Sequence, residues 1–445
     1  MKRYLFFAVV CVFISPCVRA QELHENVSWS LEKCIDYAVE HNISVQQSEI
    51  SVKQKEIALN TAKNKRLPGV SGSTSQNFSF GRGLTDDNTY SNTNTSNTSF
   101  NLGADVTLFA GMRISNNIQL SQLNLQSAVA NLEKAKDDIR VSVAQAYVEI
   151  LYNKNIMEVA KNQVFIDSMQ VERLIALENV GKASSSEVIS QKATLAQSRL
   201  TYVQAENSWR LSLLTLSQLL ELPSPEGFNI ETPSTSMVEQ QILRNPEEIY
   251  QEAVGKKPVI LVEELALDQT KKNVDIAKSS FYPTLSMNGG LGTSYYKSSG
   301  RSSKGFSDQI DNNFSQSFGL SLNIPIFSRF SNRNELRTAQ LSYNNQQLQL
   351  DNVKKQLFKE IQQAYYNALA SQTRYQSSVV AAESANASFE LVREKYEGGK
   401  ANITEFNEAK NRYLEAESNL IKYRYEYIFQ SSLLDFYSGK EIVIK

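Results

Sequence analysis

The sequence has very little cysteine or histidine, and these shortages exclude whole classes of function. Its 445 residues include three cysteines and two histidines. Cys11 and Cys17 lie in the first twenty residues, so a processed chain keeps only Cys34 and cannot form an internal disulfide. Two imidazoles and one thiol are too few for a zinc-type metal site or for a Cys–His nucleophile. We therefore predict no metal, no cofactor and no enzymatic activity.

An excess of positive charge and a long apolar helix are also missing from the sequence. The 46 basic and 47 acidic residues are interspersed and give a net charge of −1. A nucleic-acid surface needs a basic excess, so we predict no nucleic-acid partner. After residue 14, no apolar stretch approaches the ~20 residues that a membrane-spanning helix needs. A mature chain that enters a membrane must therefore do so as β-strands.

The first twenty residues have the parts of an export signal. A basic start is followed by an apolar run over residues 4–14 and by Val18-Arg19-Ala20, which fits a small-x-small cleavage site. The apolar run is too short to cross a bilayer as a helix. A lipid anchor on Cys17 would need small residues just before it, where the sequence has Pro16. We predict a signal peptide over residues 1–20.

The rest of the chain repeats itself. Three matches share an offset of 218 positions: Ser99-Phe100-Asn101-Leu102 with Ser317-Phe318-Gly319-Leu320, Gln145-Ala146-Tyr147 with Gln363-Ala364-Tyr365, and Gly181-Lys182-Ala183 with Gly399-Lys400-Ala401. Two further matches, Leu67-Pro68 with Tyr282-Pro283 and Ala38-Val39 with Ala253-Val254, have an offset near 215. Matches in this order along the chain indicate two copies of one unit.

Each copy has the same predicted order of a helix, a strand, a polar loop, a strand and a long helical hairpin. A proline-containing linker joins the copies, and a short tail follows the second. The predicted bounds are repeat 1 at 21–222, with strands at about 70–80 and 99–109 and a hairpin at 111–221; the linker at 223–249; repeat 2 at 250–437, with strands at about 284–295 and 314–326 and a hairpin at 331–437; and the tail at 438–445.

The strands are predicted from an alternation of apolar and polar residues. In the clearest case, Phe100, Leu102, Ala104, Val106 and Leu108 alternate with polar or small residues, which indicates a strand with one apolar and one polar face. The segments 81–98 and 294–313 are rich in Asn, Ser, Thr and Gly and predict long loops within each pair. Long loops on one side and tight links on the other are typical of an outer-membrane barrel.

The remaining mass is predicted as helix. The run from about residue 111 to 179 contains no proline and would be on the order of 100 Å long. In the final helix the apolar positions recur about every 3.5 residues, which is the coiled-coil period. Each hairpin is predicted to turn at glycine, at Gly181 in the first copy and at Gly398-Gly399 in the second.

Four strands cannot close a barrel in lipid, because an open sheet leaves unpaired backbone groups there. Two chains would give eight strands and a filled interior, whereas three would give twelve and a lumen. The polar faces carry Ser, Asn, Gly and Thr rather than core residues, which favours the lumen. The predicted fold class is an α+β membrane protein, a trimeric twelve-stranded transmembrane β-barrel continued by a long periplasmic α-helical coiled-coil barrel, with an internal two-fold repeat.

Four stretches, in this order along a duplicated chain with a signal peptide, resemble the TolC family of outer-membrane efflux and secretion ducts. They are the opening helix at 31–38, the strand-to-helix exit at 108–113, the helix-to-strand junction at 277–286 and the second hairpin tip at 393–401. The resemblance implies a homotrimer in contact with outer-membrane lipid in a Gram-negative bacterium, with most of its mass in the periplasm. It also implies a periplasmic adaptor (membrane fusion) protein and an inner-membrane transporter of the RND, ABC or MFS class.

The resemblance further implies roles for residues near the hairpin tips, which would face the adaptor and close the duct. Rings of carboxylates on a symmetry axis would repel anions and attract cations. The family's anchoring arginine falls on Ala401 here, with Lys400 beside it, so the mouth is expected to open more easily. The carried-over positions are Glu405 and Glu408 for the acidic rings, Tyr396 for a tyrosine lock, Glu187 for its acceptor, and Gly181, Lys182, Gly398 and Gly399 for adaptor contact.

Other interpretations remain open from the sequence. From the pattern alone, Glu405 and Glu408 lie on a solvated helix face, and Tyr396 is a packing tyrosine. A type I protein secretion duct of the same family is an alternative to a small-molecule efflux duct. A periplasmic coiled-coil adaptor or scaffold is an alternative of another class, although such proteins lack duplicated strand pairs with one apolar face. The sequence does not identify the cargo.

Overall fold

The computed structural model describes residues 28–84, 89–232, 243–299 and 303–442. The predicted signal peptide, part of the predicted linker and the end of the tail lie outside these residues. Within them, none of the helices is both long enough and apolar enough to cross a membrane.

The described residues form long helices and one antiparallel sheet. The sheet has the order β2-β3-β5-β6, and the short strands β1 and β4 form a separate parallel pair. The elements are β1 (Ser28–Trp29), α1 (Leu31–His41), α2 (Ile43–Asn64), β2 (Gly69–Leu84), β3 (Tyr90–Ala110), α3 (Arg113–Asn179), α4 (Ser185–Leu219), β4 (Asn229–Ile230), α5 (Pro246–Val254), α6 (Pro258–Ser279), β5 (Thr284–Ser298), α7 (Phe306–Asn312), β6 (Ser315–Asn323), α8 (Ser331–Glu397) and α9 (Ile403–Tyr437).

Apart from α7, the two predicted copies have the same order of helices and sheet strands. Helices α3 and α8 each have 67 residues, and α4 and α9 each have 35. Each long helix follows a left-handed residue, Met112 with φ 66° and Phe330 with φ 64°. We call α3 and α4 the first hairpin, and α8 and α9 the second hairpin. The predicted linker ends earlier than residue 249, because Pro246 occupies the first turn of α5, where the missing N–H of proline costs nothing.

The strands differ from the predicted bounds at their polar ends. Most of 81–98 is strand rather than loop, since β2 runs to Leu84 and β3 begins at Tyr90. The ladder continues to Leu84 opposite Tyr90, and nearer the middle of the strands polar side chains also pair: the Ser75 and Ser99 hydroxyls are 2.7 Å apart, and Gln76 donates to Ser96 at 2.8 Å. The composition of these polar strand ends therefore resembles that of a loop, although the backbone pairing of β2 with β3 continues. Likewise, 294–313 contains the end of β5 and the short helix α7.

The fourth strand of the sheet is shorter than predicted. It ends at Asn323 rather than near residue 326, because Asn323 pairs with Thr284, the first residue of β5. Residues 324–326 therefore have no neighbouring strand in the part of the chain that the structure describes. A register shift between Thr107 and Phe109 also moves Leu108 out of the alternation, so that Phe109 lies opposite Leu285. Such a bulge leaves one residue unpaired.

The apolar interior is divided along the length of the helices. One cluster joins α1, α3, α4 and α9, and it contains Cys34, which is fully buried. A second cluster joins α5, α6 and α8. A third, aromatic cluster lies near the tip of the second hairpin and includes Phe389, Tyr396 and Phe406. The hairpins thus meet over apolar packing at one end and over aromatic and polar groups at the other.

The apolar face of the sheet is not covered by any other described part of the chain. Phe100 lies opposite Thr74 on one side, and Phe318 lies opposite Gly289 on the other. Large side chains along this face are exposed, with Phe78 61% and Phe318 73% accessible. An apolar face of this extent marks an interaction surface for protein or membrane.

Candidate functional site at the hairpin tips

Both hairpins turn with the same backbone geometry. Gly181 and Gly399 have φ of +75° and +72°, a left-handed conformation that glycine adopts without strain. The following lysine N–H closes each helix end, from Lys182 to the Leu177 carbonyl at 2.8 Å and from Lys400 to the Lys395 carbonyl at 2.7 Å. These are Schellman motifs, which satisfy carbonyls left open at a helix end. A Cβ on Gly181 or Gly399 would have free space, so the requirement is conformational.

The helix that follows each turn begins with a capping box. Ser184 and Glu187 bond each other's backbone N–H groups at 3.3 and 2.8 Å. In the second hairpin, Asn402 and Glu405 do the same at 2.9 and 3.4 Å. Glu187 and Glu405 are 218 positions apart, so they are repeat equivalents with one local role. Their carried-over roles as lock acceptor and pore ring remain predictions.

The other carried-over charged residues lie at the surface. Glu408 is four residues from Arg412 on the same helix, and the two side chains, 66% and 73% exposed, approach to 3.9 Å. Such an exposed pair adds little stability. Lys182 and Lys400 are exposed and contribute their backbone N–H groups to the turns. Within one chain, these side chains face solvent.

The Tyr396 side chain is held by the first hairpin of the same chain. Its buried ring packs on Phe406 with centroids 5.0 Å apart, and its hydroxyl accepts a hydrogen bond from the Gln170 amide of α3. Burial raises the pKa of the Tyr396 hydroxyl above its ordinary value, so the group stays protonated at neutral pH. The hydroxyl binds Gln170 here, while Glu187 is engaged in its capping box.

Arg173 makes a second contact from α3 to the end of α8. Its guanidinium lies 4.8 Å from the Tyr396 ring centroid and donates to the carbonyls of Tyr396 at 3.3 Å and Glu397 at 3.2 Å. A cation is favourable at the carbonyl end of a helix and over an aromatic face. The cation at the end of α8 therefore comes from the first hairpin.

A buried ion pair lies further from the tips. Lys410 of α9 pairs with Asp167 of α3, and their side chains are 1% and 0% exposed. The carboxylate also accepts hydrogen bonds from Ser198 at 2.5 Å and Gln191 at 3.2 Å, both on α4. We call these four residues, together with Asn407, which donates to Gln191 at 3.4 Å, the polar cluster. Its bonds compensate a charge that would otherwise be costly to bury.

The sequence pattern does not indicate these contacts. Gln170, Arg173 and Asp167 look like ordinary polar residues on a long helix, and their partners on the second hairpin lie more than 200 positions away. Lys410 lies among the apolar positions of α9, and an isolated lysine in such a pattern is usually a surface residue. A repeat comparison is the one signal available, since the second copy has Ala385, Ser388 and Leu391 at the three α3 positions.

Nothing in the described part of the chain brings three or more His, Cys, Asp or Glu side chains together as a metal site. Burial raises the pKa of the Cys34 thiol to about 12, so it does not provide a thiolate nucleophile at neutral pH.

Residues 34–221 and 249–440 match the family model described as outer membrane efflux protein. Outer membrane protein TolC of Vibrio cholerae is 23% identical over 291 residues, which are 64% of this chain and 64% of that protein. Outer membrane efflux protein BepC of Brucella suis is 21% identical over 412 residues, which are 93% of this chain and 85% of that protein.

Solved structures share the fold at low sequence identity. The CmeC outer membrane channel of Campylobacter jejuni aligns with a TM-score of 0.78 at 18% identity, covering 95% of this chain and 87% of that one. The outer membrane protein VceC of Vibrio cholerae aligns with a TM-score of 0.74 at 18% identity, covering 93% and 97%. The mixture of long helices and one sheet is therefore the fold of these proteins.

Proposed function

Because the chain belongs to the outer membrane efflux protein family, we propose that it is the passive exit duct through which an inner-membrane pump expels small molecules. The family match confirms the TolC-family resemblance, and at that level the protein is an outer-membrane efflux or secretion channel. The duct catalyses no reaction in this account, since the pump supplies the energy. The observation that carries the proposal is the four-stranded sheet with an exposed apolar face and two unpaired edges.

The two unpaired edges require other copies of the chain. Among the described residues, strands β2 and β6 each have a neighbour on one side only, and an open edge in lipid leaves backbone groups without hydrogen bonds. Because β2 and β6 run in opposite directions, β6 of one copy can pair antiparallel with β2 of the next. Three copies would close twelve strands around a lumen lined by the polar faces. We infer a homotrimer whose apolar face contacts outer-membrane lipid.

The internal repeat predicts the register between copies. Inside the chain, Thr74 lies opposite Phe100, and the repeat offsets of 215 and 218 convert this pair into Gly289 and Phe318, which do lie opposite each other. The offsets therefore preserve strand register. Applied to the pair of Phe100 with Thr293, they place Phe318 of one copy opposite Phe78 of the next. This register also places Ile324 opposite Gly72 and Pro325 opposite Ser71 of the next copy, while Ile326 corresponds to the bulged Leu108.

Disulfide trapping tests this register. We would combine Phe78→Cys with Phe318→Cys in a Cys34→Ala background and oxidise the protein in outer membranes. Residues directly opposite have Cα atoms about 4.5–5.5 Å apart, within the range that a disulfide spans. We expect covalent dimers and trimers on a non-reducing gel. The matched control, Gln76→Cys with Phe318→Cys, is two residues out of register at about 7–8 Å and should link poorly.

Either of two results would overturn the arrangement. Efficient linking of the Gln76 control instead of the Phe78 pair would mean that the register is wrong. Monomers from both variants, with the protein in the outer-membrane fraction, would mean that β2 and β6 do not meet between copies.

The rest of the proposal concerns the hairpin tips at the periplasmic end. We infer that the hairpin tips, with Gly181, Lys182, Gly398 and Gly399, meet a periplasmic adaptor that connects the duct to an RND, ABC or MFS transporter. Tyr396 would help to close the mouth, and Glu405 and Glu408 of three copies would line it. The names of relatives include a toxin and drug export protein and a cation efflux protein, so the relatives do not define one cargo.

A further inference from the structure

The second strand pair ends differently from the first, at the end of the sheet away from the long helices. The ladder of β2 with β3 continues to Leu84 opposite Tyr90. The ladder of β5 with β6 stops earlier, at Gly292 opposite Ser315. Residues 293–298 of β5 still pair with β3, but their other edge is not covered by β6. Native proteins usually cover such an edge.

Helix α7 and its C-cap residue, Asn313, cover this edge with side chains. Gln309 accepts a hydrogen bond from the Tyr296 N–H at 2.9 Å and donates one to the Tyr296 carbonyl at 3.0 Å. Asn313 donates to the Ser294 carbonyl at 2.7 Å. Alternate residues of a strand direct their backbone groups to the same edge. The two amide side chains therefore bind β5 where a neighbouring strand would bind it.

Helix α7 also lies towards the outer face of the sheet. The Phe306 ring contacts Tyr295 with centroids 5.3 Å apart, and the Thr293 hydroxyl donates to the Ile310 carbonyl at 2.6 Å. Thr293 lies directly opposite Phe100, so Thr293 and Tyr295 share the face of that phenylalanine. The helix is thus seated on the edge and on the outer face of β5.

The side of α7 away from β5 is acidic. The contacts with β5 come from residues 306, 309, 310 and 313, and with 3.6 residues per turn Asp308 and Asp311 lie on the opposite side. Both are exposed, and within the described residues neither forms an ion pair. Two like charges one turn apart repel each other, so this side of the helix favours a cationic neighbour.

The proposed contact between copies supplies a cation at this place. When Phe318 lies opposite Phe78 of the next copy, the residues four positions outward, Phe314 and Arg82, also lie opposite each other. Arg82 is on the same outer face as Phe78, because the two are an even number of residues apart on β2. Within its own chain, its guanidinium lies 5.9 Å from the Tyr90 ring centroid.

We propose that α7 is a clasp between copies of the chain: it replaces β6 beyond Ser315, and its Asp311 carboxylate binds Arg82 of the next copy. Asp311 is three residues before Phe314, which brings it within reach of the long arginine side chain. A second copy is the fitting partner because the charges are complementary and because the contact continues the β2–β6 pairing. The clasp would close the sheet at its extracellular end, where β6 is too short to do so.

This inference rests on the homotrimer of the proposed function, and thiol cross-linking tests it. We would combine Arg82→Cys with Asp311→Cys in the Cys34→Ala background and treat outer membranes with dibromobimane, which bridges two nearby thiols. We expect covalent dimers and trimers on a denaturing gel. The matched control is Gln76→Cys with Asp311→Cys. Gln76 is on the same face of β2 but six residues, about 20 Å, nearer the long helices, so the control should link about tenfold less.

The side-chain seat of α7 has its own test. Gln309→Leu removes both bonds to Tyr296, so we expect the yield of the Arg82–Asp311 link to fall about fivefold. Gln309→Glu keeps an acceptor for the Tyr296 N–H and should give an intermediate yield. An unchanged yield in Gln309→Leu would overturn the role of this side chain in positioning the clasp.

The disulfide between Phe78→Cys and Phe318→Cys distinguishes failure of the clasp from failure of the trimer. Monomers from the Arg82–Asp311 variant, alongside a formed Phe78–Phe318 disulfide, would overturn the clasp and leave the homotrimer in place. Absence of the Phe78–Phe318 disulfide would overturn the register and the clasp with it. Efficient linking of the Gln76 control would place α7 against another part of β2 and would also overturn the clasp.

Discussion

The two helical hairpins have the same skeleton and different surfaces. Both have helices of 67 and 35 residues, a Schellman turn at glycine and a capping box at the next helix. The surfaces diverge where the hairpins meet, since α3 of the first carries Asp167, Gln170 and Arg173, and the second carries alanine, serine and leucine at the equivalent positions. The residues that form the turns and capping boxes are present in both hairpins, whereas the α3 residues that connect the hairpins are present in the first alone.

The second hairpin in turn carries side chains that the first hairpin lacks. The aromatic cluster of the second hairpin contains Phe389 and Phe406, where the first hairpin has the buried residues Val171 and Val188. Tyr396 belongs to the same cluster, and its equivalent in the first hairpin is Glu178. The aromatic tip of the second hairpin thus contacts polar residues on α3 of the first hairpin, such as Gln170 and Arg173. The two hairpins are therefore complementary where they meet.

The largest difference between the copies is expected at the equivalent lysines. Lys410→Met should lower the free energy of unfolding by about 3–5 kcal/mol, because it leaves a buried carboxylate unpaired. Lys192→Met should change it by less than about 0.5 kcal/mol, as is usual for a surface position. Guanidinium titration of the detergent-solubilised protein, followed by circular dichroism, measures both. Equal losses would mean that the two lysines have the same environment in solution.

The turns should instead behave alike. Gly181→Ala and Gly399→Ala each force a side chain into the left-handed region, at a cost of about 1–2 kcal/mol. Hydrogen exchange of the amides at each tip should report faster local opening of similar size in the two variants. A large effect at one turn alone would break the equivalence of the two skeletons.

Exchanging the residues at position 173 and at its equivalent, position 391, tests the difference between the two hairpins. Arg173→Leu should destabilise the end of α8 by about 1–2 kcal/mol, through loss of the ring contact and of the cation at the helix end. Leu391→Arg adds a cation to an exposed position of the second hairpin and should have an effect near zero. Hydrogen exchange over residues 393–400 distinguishes them. Unchanged exchange in Arg173→Leu would show that α3 does not hold the end of α8.

The smallest effects are expected at the capping glutamates. Glu187→Ala and Glu405→Ala each remove one capping contact and should cost up to about 1 kcal/mol of local helix stability. Glu405→Gln can keep that contact while removing the charge, so it separates capping from a role in the pore. Lower cation selectivity of the Glu405→Gln channel, with unchanged helix stability, would support the acidic ring. Unchanged selectivity would leave Glu405 as a cap only.

Local signals predicted the fold better than they predicted the candidate site. Gly181 and Gly399 mark their turns because a left-handed helix end favours glycine whatever lies nearby. The polar strand ends, such as that at Leu84, were missed because backbone ladders form between serine and threonine as readily as between apolar residues. Asp167 and Lys410 were missed because their pairing depends on how two distant helices cross, which no local pattern records.

Single-particle electron microscopy of the wild type and of Lys410→Met, extracted in mild detergent, tests the central claim most directly. The account predicts a three-fold tube in both, with the tip of the second hairpin displaced in the variant. The first hairpin and the apolar cluster that contains Cys34 should stay in place. Particles without three-fold symmetry, or a variant in which both hairpins shift together, would contradict it.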